Sequence, residues 1–162
     1  GGPRSGKSAR AQALAEAASP HRLFVATAEA LDAEMTDRIK RHQADRGEGW
    51  RTIEAPLDLV SVIQGEINPG ESVLIDCLTL WLSNLFHHNR DIEQETMALC
   101  NALQSSQVQI ALVSNEIGLG LVPETSLGRA FRDAQGRLNQ NVAAVCDQVD
   151  FVAAGLPLRL KG

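Results

Sequence analysis

The chain has 162 residues, 44% of them hydrophobic and 22% charged, with a formal net charge of −5. That length suits one globular domain over 1–162 with a sizeable core and leaves little room for a second. The acidic balance argues against bulk binding to nucleic acid or anionic membrane, and no apolar run approaches the roughly 18 residues of a membrane span. Cys77, Cys100 and Cys146 are widely spread and never form a CxxC pair. They are expected to be reduced, mostly buried thiols in a cytoplasmic protein, with neither a zinc site nor a disulfide framework.

Gly1 opens directly into a glycine-rich loop with no preceding Met. A phosphate loop normally follows a β-strand, so a short apolar first strand before Gly1 is expected to be missing from the sequence. Ser8 to Ala18 is alanine-rich and predicts a helix ended by Ser19-Pro20. Leu23–Thr27 predicts a buried strand, Asp32–Gln43 a helix with an Asp cap, Trp50–Ile53 a short strand and Leu57–Ile67 a helix stopped by Asn68-Pro69-Gly70. Ser72–Asp76 reads as a buried strand ending in a carboxylate, followed by helices over Leu78–Phe86 and Ile92–Ser105. Val108–Ser114 is the next strand, Ser126–Cys146 a long helix, Val149–Ala154 a last buried strand and Leu158–Leu160 a small edge strand. Apolar strands alternating with helices predict an α/β fold: a mainly parallel sheet flanked by helices, of the RecA-like P-loop NTPase kind. The stretch Gly118–Glu124 is expected to loop over the ligand-binding end of the sheet.

Gly1, Gly2, Pro3, Arg4, Ser5, Gly6, Lys7 and Ser8 satisfy GxxxxGK[ST] in full. Glycines there let consecutive backbone N–H groups face phosphate oxygens, and the following helix adds its positive end. Lys7 can reach the β- and γ-phosphates and the Ser8 hydroxyl can ligate Mg²⁺. A helix and alternating strands follow at once, so nucleoside triphosphate binding is expected. Asp76, at the end of Val73-Leu74-Ile75, stands where such folds place a carboxylate beside the metal or its waters. Capping the next helix is the plainer role, and the two are compatible.

Arg38, Lys40, Arg41 and Arg46 surround His42 in an otherwise acidic chain. Two readings stand open: a solvated helix face with an incidental His, or a phosphate-neutralising cluster whose imidazole acts as base, acid or nucleophile. His87-His88, in a polar segment, read as exposed loop. Asn115–Glu124 carries two carboxylates in a glycine-hinged stretch, suited equally to Mg²⁺, substrate or helix capping, and no catalytic role is assigned to it.

These residues carry a resemblance. Gly1–Ser8, Ala26–Arg38, Arg38–Glu54, Leu74–Leu85 and Val113–Asn141 match, in order, the bifunctional adenosylcobinamide kinase/adenosylcobinamide-phosphate guanylyltransferase family of cobalamin biosynthesis. Arg38-Ile39, His42, Arg46, Trp50, Thr52 and Glu54, together with Asn115-Glu116, Gly118, Gly120 and Val122-Pro123-Glu124, are far more specific than the phosphate loop alone. Gly47 departs from the family pattern, which places Pro after the Arg.

The resemblance implies two reactions. A γ-phosphoryl from ATP or GTP passes to adenosylcobinamide; then GTP guanylylates a histidine, with loss of pyrophosphate, and the GMP moves on to adenosylcobinamide phosphate. The matching histidine is His42. By the same resemblance Thr27, Ala28, Glu29, Gln43, Ala44, Asp45, Arg46, Glu54 and Asp76 belong to the GTP site, and the enzyme is expected to be a homotrimer. Without the resemblance, Glu54 reads as a capping or surface carboxylate. The rival readings are a P-loop small-molecule kinase lacking the guanylyl step and a nucleotide-dependent switch module.

Overall fold

The structure, a computed structural model, describes residues 1–29 and 47–162. The helix expected over Asp32–Gln43 lies outside the described residues. The elements are α1 (Lys7–Ala18), β1 (Arg22–Ala26), β2 (Trp50–Glu54), α2 (Leu59–Gly65), β3 (Ser72–Asp76), α3 (Leu78–His87), α4 (Ile92–Ser105), β4 (Ile110–Val113), α5 (Ser126–Val145), β5 (Val149–Ala153) and β6 (Leu156–Lys161). Four strands form a wholly parallel sheet in the order β2-β1-β3-β4. β5 and β6 form a separate antiparallel pair. The α/β class with a parallel sheet flanked by helices thus stands, but the last strand is not a buried member of that sheet: only Val152 of β5 is buried. β6 is exposed throughout, the two strands joined by the tight turn at Ala154-Gly155, where both residues have positive φ.

The period-two alternation of β1 and β3 builds three layers. Leu23, Val25, Val73 and Ile75 face the main core, where Leu59, Trp81, Leu82, Leu85, Leu99 and Leu138 from α2 to α5 pack. Phe24, Ala26 and Leu74 face the other way onto Ala11 and Ala15 of α1. The small alanines let that helix, which follows the phosphate loop, lie close to the sheet. At its far end Ala15 O accepts from the Ser72 hydroxyl at 2.8 Å.

Two boundaries shift for local reasons. α2 is shorter than the expected Leu57–Ile67, because the Leu57 carbonyl is taken by the Trp81 indole N–H at 2.8 Å and so lies outside the helix. α3 extends to His87, so that residue is helical and not loop.

A charged latch closes the lower end of the sheet. Arg51 of β2 grips Glu71, just before β3, through Nε at 2.6 Å and Nη2 at 2.7 Å. The Asn68 amide adds a third bond to the same carboxylate at 2.8 Å. The guanidinium is the main cause of the Glu71 pKa falling to about 2. A carboxylate depressed on folding stabilises the fold above its unfolded pKa and loses that contribution as pH falls through the folded value. Glu71→Gln is therefore expected to flatten the loss of melting temperature between about pH 4.5 and pH 2, while lowering it at pH 7. Thermal melts across that range are the measurement.

Candidate active site

The phosphate loop is bent into a cradle by its own backbone. Arg4 and Gly6 both have positive φ, 54° and 95°, and alternation into the left-handed region turns successive N–H groups to one side. A side chain at Gly6 would be strained there and would bring its Cβ to 3.0 Å from Gly155 Cα. At Gly1 a Cβ would fall 2.1 Å from Val152 O, so only glycine lets the loop pass against β5. The Gly155 amide donates to Ser5 O at 2.8 Å. Gly6 is the N-cap of α1 and gives no side-chain cap, and the first turn holds no acidic residue. The amides at that helix end thus have no anion supplied by the helix's own cap or first turn. Ser5 Oγ is buried without a partner among the described residues. Lys7 Nζ lies back on Gly2 O at 3.1 Å, which holds the ammonium over the cradle.

Arg10 of α1 bonds the Asp150 carboxylate at 3.1 and 3.2 Å, and Arg159 of β6 takes its other oxygen at 2.5 Å. The helix carrying Lys7 and Ser8 is thereby fastened to the β5–β6 pair. The two arginines hold the Asp150 carboxyl below its ordinary pKa, Arg159 contributing most.

The carboxyl ends of the parallel strands line up beside the loop. Ala26 of β1 stands in register with Glu54 of β2 and Asp76 of β3. Thr27 is fully buried, its hydroxyl donating to Cys77 O at 2.7 Å and accepting from Cys77 N at 2.8 Å. Thr27 O takes Asn84 Nδ2 at 2.8 Å, which ties the β1 exit to α3. Burial pushes the Cys77 thiol up; Asp76 adds to the rise and Lys7 opposes it, so both charges bear on the same point. All three cysteines are free thiols.

Gly1–Ser8, Thr27, Ala28, Glu29 and Asp76 thus share one end of the sheet. Glu54 is exposed at the end of the edge strand, two strands from Asp76 and about 10 Å away by sheet spacing. His42, Gln43, Ala44, Asp45 and Arg46 lie outside the described residues. Glu29 bonds His88 Nε2 at 2.9 Å, which ties that exposed turn histidine to this rim.

Sequence reasoning missed the polar brace behind the β4 exit. Gln135 of α5, fully buried, donates to Ser114 Oγ and Asn139 Oδ1, both at 3.0 Å. Asn139 Nδ2 donates to Asn115 O at 3.1 Å, and Asn115 N donates to Thr79 Oγ1 at 2.9 Å. Glu116 N then donates to Gly1 O at 3.0 Å, joining the brace to the phosphate loop. The available signal was Gln135 and Asn139 at i, i+4 beside the apolar stripe Phe131, Ala134, Leu138 and Val142.

The sequence pattern of the family described as cobinamide kinase / cobinamide phosphate guanyltransferase matches residues 1–160. The chain belongs to that family. Over its whole length it is 44% identical to the bifunctional adenosylcobalamin biosynthesis protein CobP of Pseudomonas aeruginosa, covering 95% of that protein. It is 40% identical to the CobU protein of the same description in Escherichia coli, over 99% of the chain and 97% of the relative. The Salmonella typhimurium CobU protein is 38% identical with the same coverage. The enzyme therefore joins a cobinamide kinase and a cobinamide phosphate guanylyltransferase in one chain, as the motifs led one to expect. The readings as a kinase alone or as a switch module fall away. Among the described residues no helix is long and apolar enough to cross a membrane.

Proposed function

We propose that the single domain over 1–162 performs both transfers at the phosphate loop, Lys7 serving each and His42 the second alone. The observation that supports this best is the cradle: left-handed Arg4 and Gly6, an uncapped helix end and the Lys7 ammonium, beside Asp76 and Thr27.

The first substrate is adenosylcobinamide. Its aminopropanol hydroxyl oxygen attacks the γ-phosphorus of ATP or GTP. A new O–P bond forms, the bond to the β-phosphate oxygen breaks, and the hydroxyl proton is released. The backbone N–H groups of Gly2 and of Arg4 to Ser8, with the Lys7 ammonium, offset the phosphate charge, which is most of what a loose phosphoryl transition state asks of a protein. In the second reaction a His42 ring nitrogen attacks the α-phosphorus of GTP. An N–P bond forms and pyrophosphate leaves. A phosphate oxygen of adenosylcobinamide phosphate then displaces the imidazole, giving adenosylcobinamide-GDP and free His42. Splitting the displacement in two is the gain of a covalent nucleophile.

Thr27, Ala28, Glu29, Gln43, Ala44, Asp45, Arg46 and Glu54 complete the nucleotide contacts in this reading. The Ser8 hydroxyl and the Asp76 carboxylate, hard oxygen donors without a hydrogen bond among the described residues, suit Mg²⁺. Bound there, Mg²⁺ supplies charge neutralisation on the phosphates. The enzyme works in the cytoplasm as a homotrimer.

The deciding experiment is incubation with α-labelled GTP and denaturation: a phosphoramidate is acid-labile and base-stable, and absence of any such label overturns the covalent step. Asp76→Asn offers a neutral amide in place of a carboxylate. We expect the Mg²⁺ concentration for half-maximal turnover to rise about tenfold, with metal-free nucleotide binding little changed. An unchanged Mg²⁺ titration would remove Asp76 from the metal site; the helix-capping role does not replace it, since Cys77 is the N-cap of α3 and no side chain caps that helix.

A further inference from the structure

We propose that the exposed apolar tip of the loop between β4 and α5, made of Leu119, Leu121 and Val122, is the surface on which the corrin macrocycle of cobinamide rests. The inference builds on phosphoryl transfer taking place at the phosphate loop.

Leu119 is 82% exposed, Leu121 96% and Val122 68%. Single apolar side chains at a surface are ordinary, but three within four residues on one loop mark a contact surface. Leu127, at the start of α5, is a further exposed apolar side chain, five residues on from Val122. Nothing among the described residues covers it.

The exposure is built and held. At one end of the loop Gly118 N donates to Glu116 Oε1 at 2.5 Å, and Gly118 O accepts from Arg132 Nη2 at 2.7 Å. At the other end Arg129 Nη1 takes Pro123 O at 3.1 Å and Glu124 O at 2.7 Å. Gly128 leaves room for the Pro123 ring, since a Cβ there would stand 2.8 Å from Pro123 Cβ. Thr125 caps α5 by accepting from Gly128 N at 3.1 Å. Four hydrogen bonds and a packed proline thus fix the two ends, and the apolar side chains are presented between them.

Position selects the occupant. The loop begins at Glu116, whose amide is bonded to Gly1 of the phosphate loop. Cobinamide carries its reacting hydroxyl at the end of a short arm on a broad macrocycle with methyl-bearing faces and a carboxamide rim. With the hydroxyl at a γ-phosphate in the cradle, the macrocycle must lie within an arm's length of it. The tip of this loop, three to six residues along the chain from the Glu116–Gly1 bond, offers apolar contact from the same strand end that anchors Gly1.

The test is a triple variant, Leu119→Ser with Leu121→Ser and Val122→Ser, beside Leu121→Ser alone and Met97→Ser as a control on α4, where Met97 is 62% exposed. The triple variant is expected to raise KM for cobinamide about tenfold or more, with KM for the nucleotide within about twofold of wild type. Loading with GMP from GTP, which needs no corrinoid, should proceed at the wild-type rate. Leu121→Ser alone should show the same split at smaller size and guards against misfolding of the triple. An unchanged cobinamide KM overturns the proposal, and so does a matching rise in Met97→Ser. A fall in molecular mass by light scattering also overturns it, because the patch then belongs to a contact between copies. Wild-type protein that fails to load GMP counts against the covalent step and leaves the cobinamide KM comparison intact.

Discussion

Lys7→Ala is expected to silence both transfers while leaving the fold intact. Among the described residues the side chain makes one hydrogen bond, to the carbonyl of Gly2, and it sits at the start of α1 away from either core cluster. Truncation therefore opens no cavity. What it removes is the ammonium that offsets charge on the β- and γ-phosphates in the first reaction and on departing pyrophosphate in the second. Loss of one preorganised stabilising donor typically costs about 10²–10³-fold in rate, and a full positive charge is worth at least as much. We expect kcat/KM to fall by that factor or more in kinase and guanylyl assays alike, with an unchanged melting temperature. Full kinase turnover in folded Lys7→Ala would sink the nucleotide-site assignment. Lys7→Arg should recover little, because a planar fork does not replace a compact ammonium.

His42→Ala separates the two reactions. Guanylylation and the GMP transfer that depends on it should vanish, because the covalent intermediate has lost its nucleophile. Phosphorylation of adenosylcobinamide should persist within a few-fold, since it relies on positioning and charge neutralisation alone. The paired readout is labelled enzyme from α-labelled GTP beside product from γ-labelled ATP. All three other histidines are placed by the fold, His87 as the exposed last residue of α3. His21 precedes β1, at the end of the sheet opposite the phosphate loop, with its carbonyl bonded to Ser72 N. His88 bonds Glu29 on the rim of the site, so a label surviving in His42→Ala would move the nucleophile there. Loss of the kinase step along with the label would mean that His42 shapes the nucleotide site.

The elements carrying these expectations were legible to different degrees. The phosphate loop was plain because backbone geometry forces its composition: Gly1 must clear Val152 and Gly6 must adopt positive φ. The strands over Leu23–Thr27 and Ser72–Asp76 were plain because burial on both faces demands continuous apolar runs, and they agree with β1 and β3 to within a residue. Pairing partners are another matter. Val149–Ala153 has the composition of a buried strand, yet it pairs antiparallel with an exposed neighbour, and composition says nothing of register or partner. The brace of Ser114, Asn115, Gln135 and Asn139 was invisible for the same reason. Each is an ordinary polar residue until α5 folds back over the β4 exit, burying Gln135 and half-burying the others in one network. His88 is the exposed turn residue expected, but its bond to Glu29 could not be foreseen because the two lie 59 residues apart. What the residues alone offered for His42 was one imidazole among four cations; the resemblance to a family gave it a role.

The grip of β5 and β6 on the phosphate loop changes how nucleotide affinity is to be understood. Gly155 fixes the Ser5 carbonyl, Val152 crowds Gly1, and Asp150 with Arg159 steadies the helix at Arg10. A glycine-rich loop left free would have to surrender many backbone conformations each time a triphosphate arrived. Here that entropy is spent once, during folding, and recovered in every turnover. Tight binding to these eight residues is thus partly a property of the chain's other end.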